Sequence, residues 1–199
     1  MPAPSITLTP APALIEEEFT MNAASTFLGT HKRNIEKLRA AGYLDDLTLA
    51  SLTPIRTADF VSADKKLPLI QTAPAEVAVE ETDWRNWYGD SPSLSNEDWI
   101  NAQRGDWTGA GAERIEKVQY LAVGLGGIIT GATRVIKAVP SSDPRKARFE
   151  LQLLGRLTGD LKSGDVTFNE EASEDDLTFA HSVVGKRYEP RAGGSVMWL

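Results

Sequence analysis

Two adjacent glycines constrain this chain more than any other feature. Gly126 and Gly127 stand between Val118–Leu125 (VQYLAVGL) and Ile128–Val139 (IITGATRVIKAV), two runs rich in β-formers. Both glycines can take positive φ, so the pair reads as a two-residue hairpin turn. Further strand patterns follow it. Arg148–Leu154 (RFELQLL) sets Phe149, Leu151 and Leu153 on one face, the alternation of a half-buried strand. Val166–Asn169 and Val196–Leu199 are two more short candidates. Several short strands separated by turns predict a small barrel.

The first half is patterned differently. Met1–Ala13 carries four prolines and little periodicity, and predicts a flexible arm over residues 1–15. In Met21–Leu44 (MNAASTFLGTHKRNIEKLRAAGYL), Ala24, Phe27 and Leu28 mark a short helix. Gly29 makes a turn, and Thr30 is placed to cap a second helix whose inward stripe is Ile35 and Leu38. Gly42 supplies a left-handed C-cap. Leu47–Ile55 is β-like but holds a proline, and Thr57 is placed to cap a short helix to Ala63. Leu67–Gly89 is rich in Pro, Ala and Glu and reads as a linker. Ser95 and Asp98 form a near capping box for a helix from about Asn96 to Arg104, stopped by Gly105. The expected architecture is α+β. A helical module spans 16–70, an acidic linker 71–94, and a mainly β, barrel-like domain 95–199.

Composition narrows the chemistry. There is no cysteine, which excludes disulfides, Cys-ligated zinc, iron–sulfur clusters and a thiol nucleophile. With only His31 and His181, a histidine-built metal site would need several carboxylates. No apolar run is long enough to span a membrane, and the N-terminus has neither the basic region nor the apolar core of a signal peptide. A cytoplasmic protein without a membrane partner is therefore expected. The net charge of −7 argues at first against a polyanionic partner. Its distribution weakens that objection, because residues 76–98 hold seven acids and one base, while 99–199 hold thirteen of each. Within the latter, Asn169–Asp176 (NEEASEDD) holds five carboxylates and reads as a solvated loop. Nucleic-acid binders need a local basic face more than a basic total.

On Ala24, Ser25, Leu28-Gly29, Ile35, Leu38 and Gly42-Tyr43-Leu44, the first module resembles a winged helix-turn-helix of the excisionase and MerR-like kind. The resemblance implies a wing over Leu47–Ile55 and a second helix that enters the major groove of duplex DNA. Its site would be His31, Lys32, Arg33, Asn34, Lys37 and Arg39, with Asn34 pairing to adenine, Arg33 or Lys32 to guanine, and Lys37 and Arg39 near phosphates. The second half resembles the PUA-like β-barrels, including the ASCH and EVE relatives. The resemblance rests on the Trp99 helix, Arg104-Gly105-Asp106-Trp107, Arg114, the Gly126-Gly127 hairpin, Arg148-Phe149 and Gly185-Lys186-Arg187. It implies a reader of RNA or of a modified base, with Trp99, Trp107 and Tyr120 as stacking platforms and Arg104, Arg114, Arg134, Lys186 and Arg187 as backbone contacts.

Catalytic constellations are weak. Asp143 and Glu150 lack the lysine of a nuclease core, and His181 has no nucleophile elbow beside it. The Gly124-x-Gly126-Gly127 spacing is not that of a phosphate loop, and Arg104-Gly105-Asp106 is a poor adhesion signal. The expectation is a non-enzymatic nucleic-acid-binding protein without a cofactor, either a DNA-binding transcription regulator or a modified-base reader of phage, prophage or defence type. A homodimer on paired half-sites is compatible with this. The alternative is an assembly factor that uses the helix-turn-helix as a protein-docking surface.

Overall fold

Three short helices open the described chain, each set by its cap. The computed structural model describes residues 17–62, 66–79, 85–108, 111–139, 141, 143, 145–191 and 195–199. The arm expected over 1–15 lies outside them. Helix α1 (Met21–Leu28) starts at Thr20, whose hydroxyl accepts from the Ala23 N–H, and ends on left-handed Gly29. Helix α2 (Lys32–Ala41) starts at His31 instead of Thr30, with no side-chain cap, and ends on left-handed Gly42. Ile35, Leu38 and Ala41 form its buried stripe.

The wing expected over Leu47–Ile55 is instead helix α3 (Leu49–Thr57). Thr48 caps it by accepting from the Ser51 N–H, and Leu52 and Ile55, three apart, face inward. The cap and the helical spacing outweigh Pro54, which disrupts only one late turn of a short helix. Between α2 and the first strand the β structure of the described residues is limited to an isolated bridge at Phe60, so the winged part of the expected module has no strands there. The helix expected from Thr57 does not form either: α3 ends at Thr57, and Ala63 lies outside the described residues.

The remaining elements build a seven-stranded sheet, a separate two-stranded one, and the helices around them. They are β1 (Pro68–Gln71), β2 (Glu76–Val77), β3 (Trp87–Tyr88), α4 (Asn96–Gln103), β4 (Trp107–Thr108), α5 (Ala112–Val118), β5 (Tyr120–Leu125), β6 (Ile128–Val139), β7 (Lys146–Leu157), β8 (Val166–Phe168), α6 (Glu174–Val183) and β9 (Val196–Trp198). The order in the larger sheet is β4-β7-β6-β5-β1-β9, with β8 on the C-terminal part of β7, and the smaller sheet is β2 and β3. Only β1 and β5 run parallel. At the open seam, the Thr108 and Ser195 hydroxyls lie 3.4 Å apart, so the sheet curls into a nearly closed barrel.

Gly126 (φ 59°) and Gly127 (φ 94°) form the hairpin turn between β5 and β6, closed by the Leu125–Ile128 pair. Val118, expected in the strand, ends α5, because Gln119 takes a left-handed conformation (φ 65°) and resets the chain. The acidic run read as a loop contains the start of α6. Ser173 caps it, and Glu174, Asp175 and Asp176 lie in its first turn, where carboxylates favour the positive end of the helix dipole.

The helical module is welded to the barrel. Leu28, Ile35, Leu38, Leu52 and Ile55 share one buried cluster with Leu125, Ile128, Leu157 and Leu161. Arg187, nearly buried, donates to the Leu28 and Arg56 carbonyls from the segment after α6. Gly126 sits under α2, and a Cβ there would lie 2.6 Å from the Asn34 carbonyl oxygen and 2.8 Å from Leu38.

Two outcomes follow. Gly29→Ala meets nothing within 4 Å and should cost about 1 kcal/mol for its left-handed backbone. Gly126→Ala adds the collision with α2 and should cost at least about 2 kcal/mol more; equal losses in urea unfolding would contradict the seating of α2 on the turn. The Ser51 hydroxyl and the Thr48 N–H and hydroxyl hold the Asp46 carboxyl down to about 2. Its ordinary value is about 4, so its contribution to stability is complete above that pH and disappears as pH falls through 2. Stability curves of wild type and Asp46→Asn should accordingly converge over that window.

Candidate nucleic-acid interface

A buried carboxylate organises the region beside the basic cleft described below. Asp90, fully buried, accepts from the Tyr43 hydroxyl (2.8 Å), the Trp99 indole N–H (2.6 Å) and the Thr130 hydroxyl. Burial pushes its carboxyl up, while the Thr130, Tyr43 and Trp99 hydrogen bonds and the Arg156 charge oppose that shift. Arg156 is itself buried, donates to the Pro92 and Leu94 carbonyls, and lies 5.8 Å from the Trp99 ring. The Asp90 backbone exchanges hydrogen bonds with Ala73 and Ala75, and the Gln103 side-chain amide donates to the Gly89 carbonyl. The segment 71–94, read as a linker, is therefore partly woven into the core: besides Asp90 it holds β2, β3 and the end of β1.

Beside this node, adjoining it at Ala73 and Gly89, lies a cleft of about 780 Å³. Five cations line it: Lys37 from α2, Arg85 before β3, Arg104 after α4, and Lys146 and Arg148 from β7. Glu76 and Asp106 are the acids in its wall, and Trp107 and Tyr88 its aromatic residues. The cleft is thus cationic in a chain whose net charge is −7.

Several of these groups are held in place by the fold. The Trp107 indole N–H donates to the Gln103 carbonyl at 2.8 Å, leaving the ring half-buried. Arg104 donates to the Leu151 carbonyl and to the Asn101 side-chain oxygen, while its Nε is buried without a partner. Arg85 lies 4.6 Å from the centre of the Tyr88 ring and against Gly105, where any side chain would displace it. Arg148 pairs with Asp106 at 3.1 Å. Among the described residues, Lys37 and Lys146 form no ion pair, and Lys146 is exposed. Burial, and then the charge of Arg33, push the Lys37 ammonium down.

The structure divides the residues expected to form a base-reading pocket. Arg104 and Trp107 share the cleft, and Lys37 joins them from the helical module. Trp99 is no platform: it is fully buried, bonded to Asp90, and its ring fills the space over Gly131. Tyr120 stacks on Phe179 at 4.4 Å, and Arg114 covers the Trp198 ring at 3.9 Å, so neither lines the cleft. On α2, His31, Lys32, Arg33 and Arg39 are exposed. Asn34 is half-buried and donates one of its two amide hydrogens to the Thr30 hydroxyl, which fixes the amide's orientation.

The discarded catalytic candidates are equally dispersed. Asp143 pairs with Arg145, Glu150 with Lys137, and the exposed His181 ring packs 3.9 Å from that of Phe168. Asp176, in the acidic run, is buried and bound to Arg134 at 2.9 Å. Among the described residues no group of three or more His, Cys, Asp or Glu could hold a metal, and no helix is long and apolar enough to cross a membrane.

Sequence reasoning did not single out Arg85, Lys146 or Arg148 as site residues. For Lys146 and Arg148 a signal existed: two cations two apart on a strand share one face. For Arg85 there was none, since only the Asp90 node turns its segment back onto α4. Asp90→Ala should cost about 3 kcal/mol or more, because it leaves three buried donors without their acceptor and Arg156 without its nearby anion; a loss below about 1 kcal/mol in chemical denaturation would refute the node. Compared with models of known protein families, with curated proteins and with solved structures, the chain matches none of them.

Proposed function

We propose that this protein binds nucleic acid without catalysing a reaction, and that it holds an unstacked nucleotide of a strand in the basic cleft. One observation carries the reading. Five cations from separate stretches of an acidic chain converge on one concave site that also holds a tryptophan. The volume falls within the range of small-ligand sites, about 300–1,000 Å³. Lys146 and Lys37 would contact phosphates, and Trp107 would offer a face for base stacking. The carbonyls and side chains of the 71–76 and 85–89 segments would meet the base edge.

Groove binding by α2 alone is less favoured. Its exposed N-terminal cations suit phosphates, but Asn34, the residue fitted to read adenine, is half-buried and tied by one amide hydrogen to the Thr30 hydroxyl. The barrel already covers Ile35 and Leu38, so the alternative, protein docking through α2, would have to use its exposed polar face. A regulator or modified-base reader of phage or defence type remains the biological setting we propose for such a cleft.

Fluorescence anisotropy with a labelled single-stranded oligonucleotide tests this. Three to five phosphate contacts predict that log K falls with log salt at a slope of about −2 to −4. A Lys37→Ala/Lys146→Ala double variant should bind at least about tenfold more weakly, at a shallower slope. Absence of wild-type binding at low salt would defeat the proposal and favour the assembly-factor reading.

A further inference from the structure

The cleft is not confined to the barrel. Lys37, one of its lining cations, belongs to α2. Arg33 stands one helical turn earlier, exposed, and Lys32 is exposed beside it. The two charges are close enough for Arg33 to act on the Lys37 ammonium. Four residues of helix advance about 6 Å, on the order of the distance between neighbouring phosphates of one strand. Beyond Lys37 the cations continue across the cleft to Lys146 and Arg148 on β7.

The relative position of the two halves is fixed. Gly126 leaves no room for a Cβ against the Asn34 carbonyl and Leu38 of α2, and Tyr43, just past the C-cap of α2, is bonded to the buried Asp90, the neighbour of the cleft-lining Gly89. A strand meeting both halves would find its contacts already in register, so little ordering is required of the protein. Glu76, in the cleft wall, disfavours a phosphate lying against that side.

We infer that α2 and the cleft form one continuous cationic track for a single strand, whose phosphates pass Lys32, Arg33 and Lys37 before a nucleotide enters the cleft beside Trp107. The two modules then share one ligand instead of serving as separate duplex and base-reading sites. This inference rests on the nucleic-acid reading of the cleft.

Chain length separates the possibilities. The full chain is titrated with a thymidine tetranucleotide, which fills the cleft alone, and a thymidine dodecanucleotide, which reaches α2 as well. Wild type should bind one dodecanucleotide per chain, at least tenfold more tightly than the tetranucleotide. A Lys32→Gln/Arg33→Gln double variant, at exposed positions and placing no anion beside Lys37, should remove most of that gain and leave tetranucleotide binding within about threefold, with an unchanged thermal melt. Lys146→Glu should weaken both lengths about tenfold. If the Lys32/Arg33 variant leaves dodecanucleotide binding unaltered, or weakens both lengths equally, the track is overturned while the cleft stands. Two dodecanucleotides per chain would overturn it in the same way. If wild type binds neither length at low salt, the nucleic-acid reading itself fails and the track with it.

Discussion

The Asp90 carboxylate is the interaction on which the rest of the molecule depends. It gathers donors from the segment after α2 (Tyr43), from α4 (Trp99) and from β6 (Thr130). A buried carboxylate is costly unless its lone pairs are filled, and here three donors fill them while Arg156 stands nearby. The elements carrying those donors are therefore held in one mutual arrangement. The same arrangement turns residues 85–90 back against 73–75 and α4, which forms a wall of the cleft. The site is in this sense a by-product of satisfying one charge.

Apolar packing completes what the node begins. The cluster shared by α1, α2 and α3 with Leu125, Ile128, Leu157 and Leu161 makes the helices part of the barrel's own core. Gly126 serves twice, once as a turn residue and once as the flat spot on which α2 rests. This explains how a cation on α2 and cations on β7 can face one cleft although more than a hundred residues separate them in the chain. Their positions are set by close packing, which does not deform continuously.

Local chemistry was legible in the sequence where it was self-contained. The Gly126-Gly127 turn, the β6 limits and the capped start of α4 depend on neighbours within a few residues, and the structure has them as read. The Leu47–Ile55 wing was misread because β-like composition was weighed above the Thr48 cap and the Leu52–Ile55 spacing. The acidic stretch before residue 177 was misread for a similar reason: a run of carboxylates looks like a solvated loop, yet behind a serine it is also a favourable first helical turn. The sheet that curls into a nearly closed barrel could be anticipated from strand count, whereas the seam between Thr108 and Ser195 could not.

By itself, then, the sequence determined the element types wherever caps, turns and periodicity act over one or two turns of chain. It also determined the exclusions that follow from lacking cysteine and having two histidines. Only the tertiary structure decided which aromatic residues are core and which line a cleft. Trp99 and Trp107 look alike in sequence, and they differ because one indole N–H meets a buried carboxylate and the other a helix-end carbonyl at the rim. It likewise decided that Lys37, Arg104 and Lys146 line one cleft. Charge is carried along the chain, but a binding field arises only where folding brings distant charges within reach of one another.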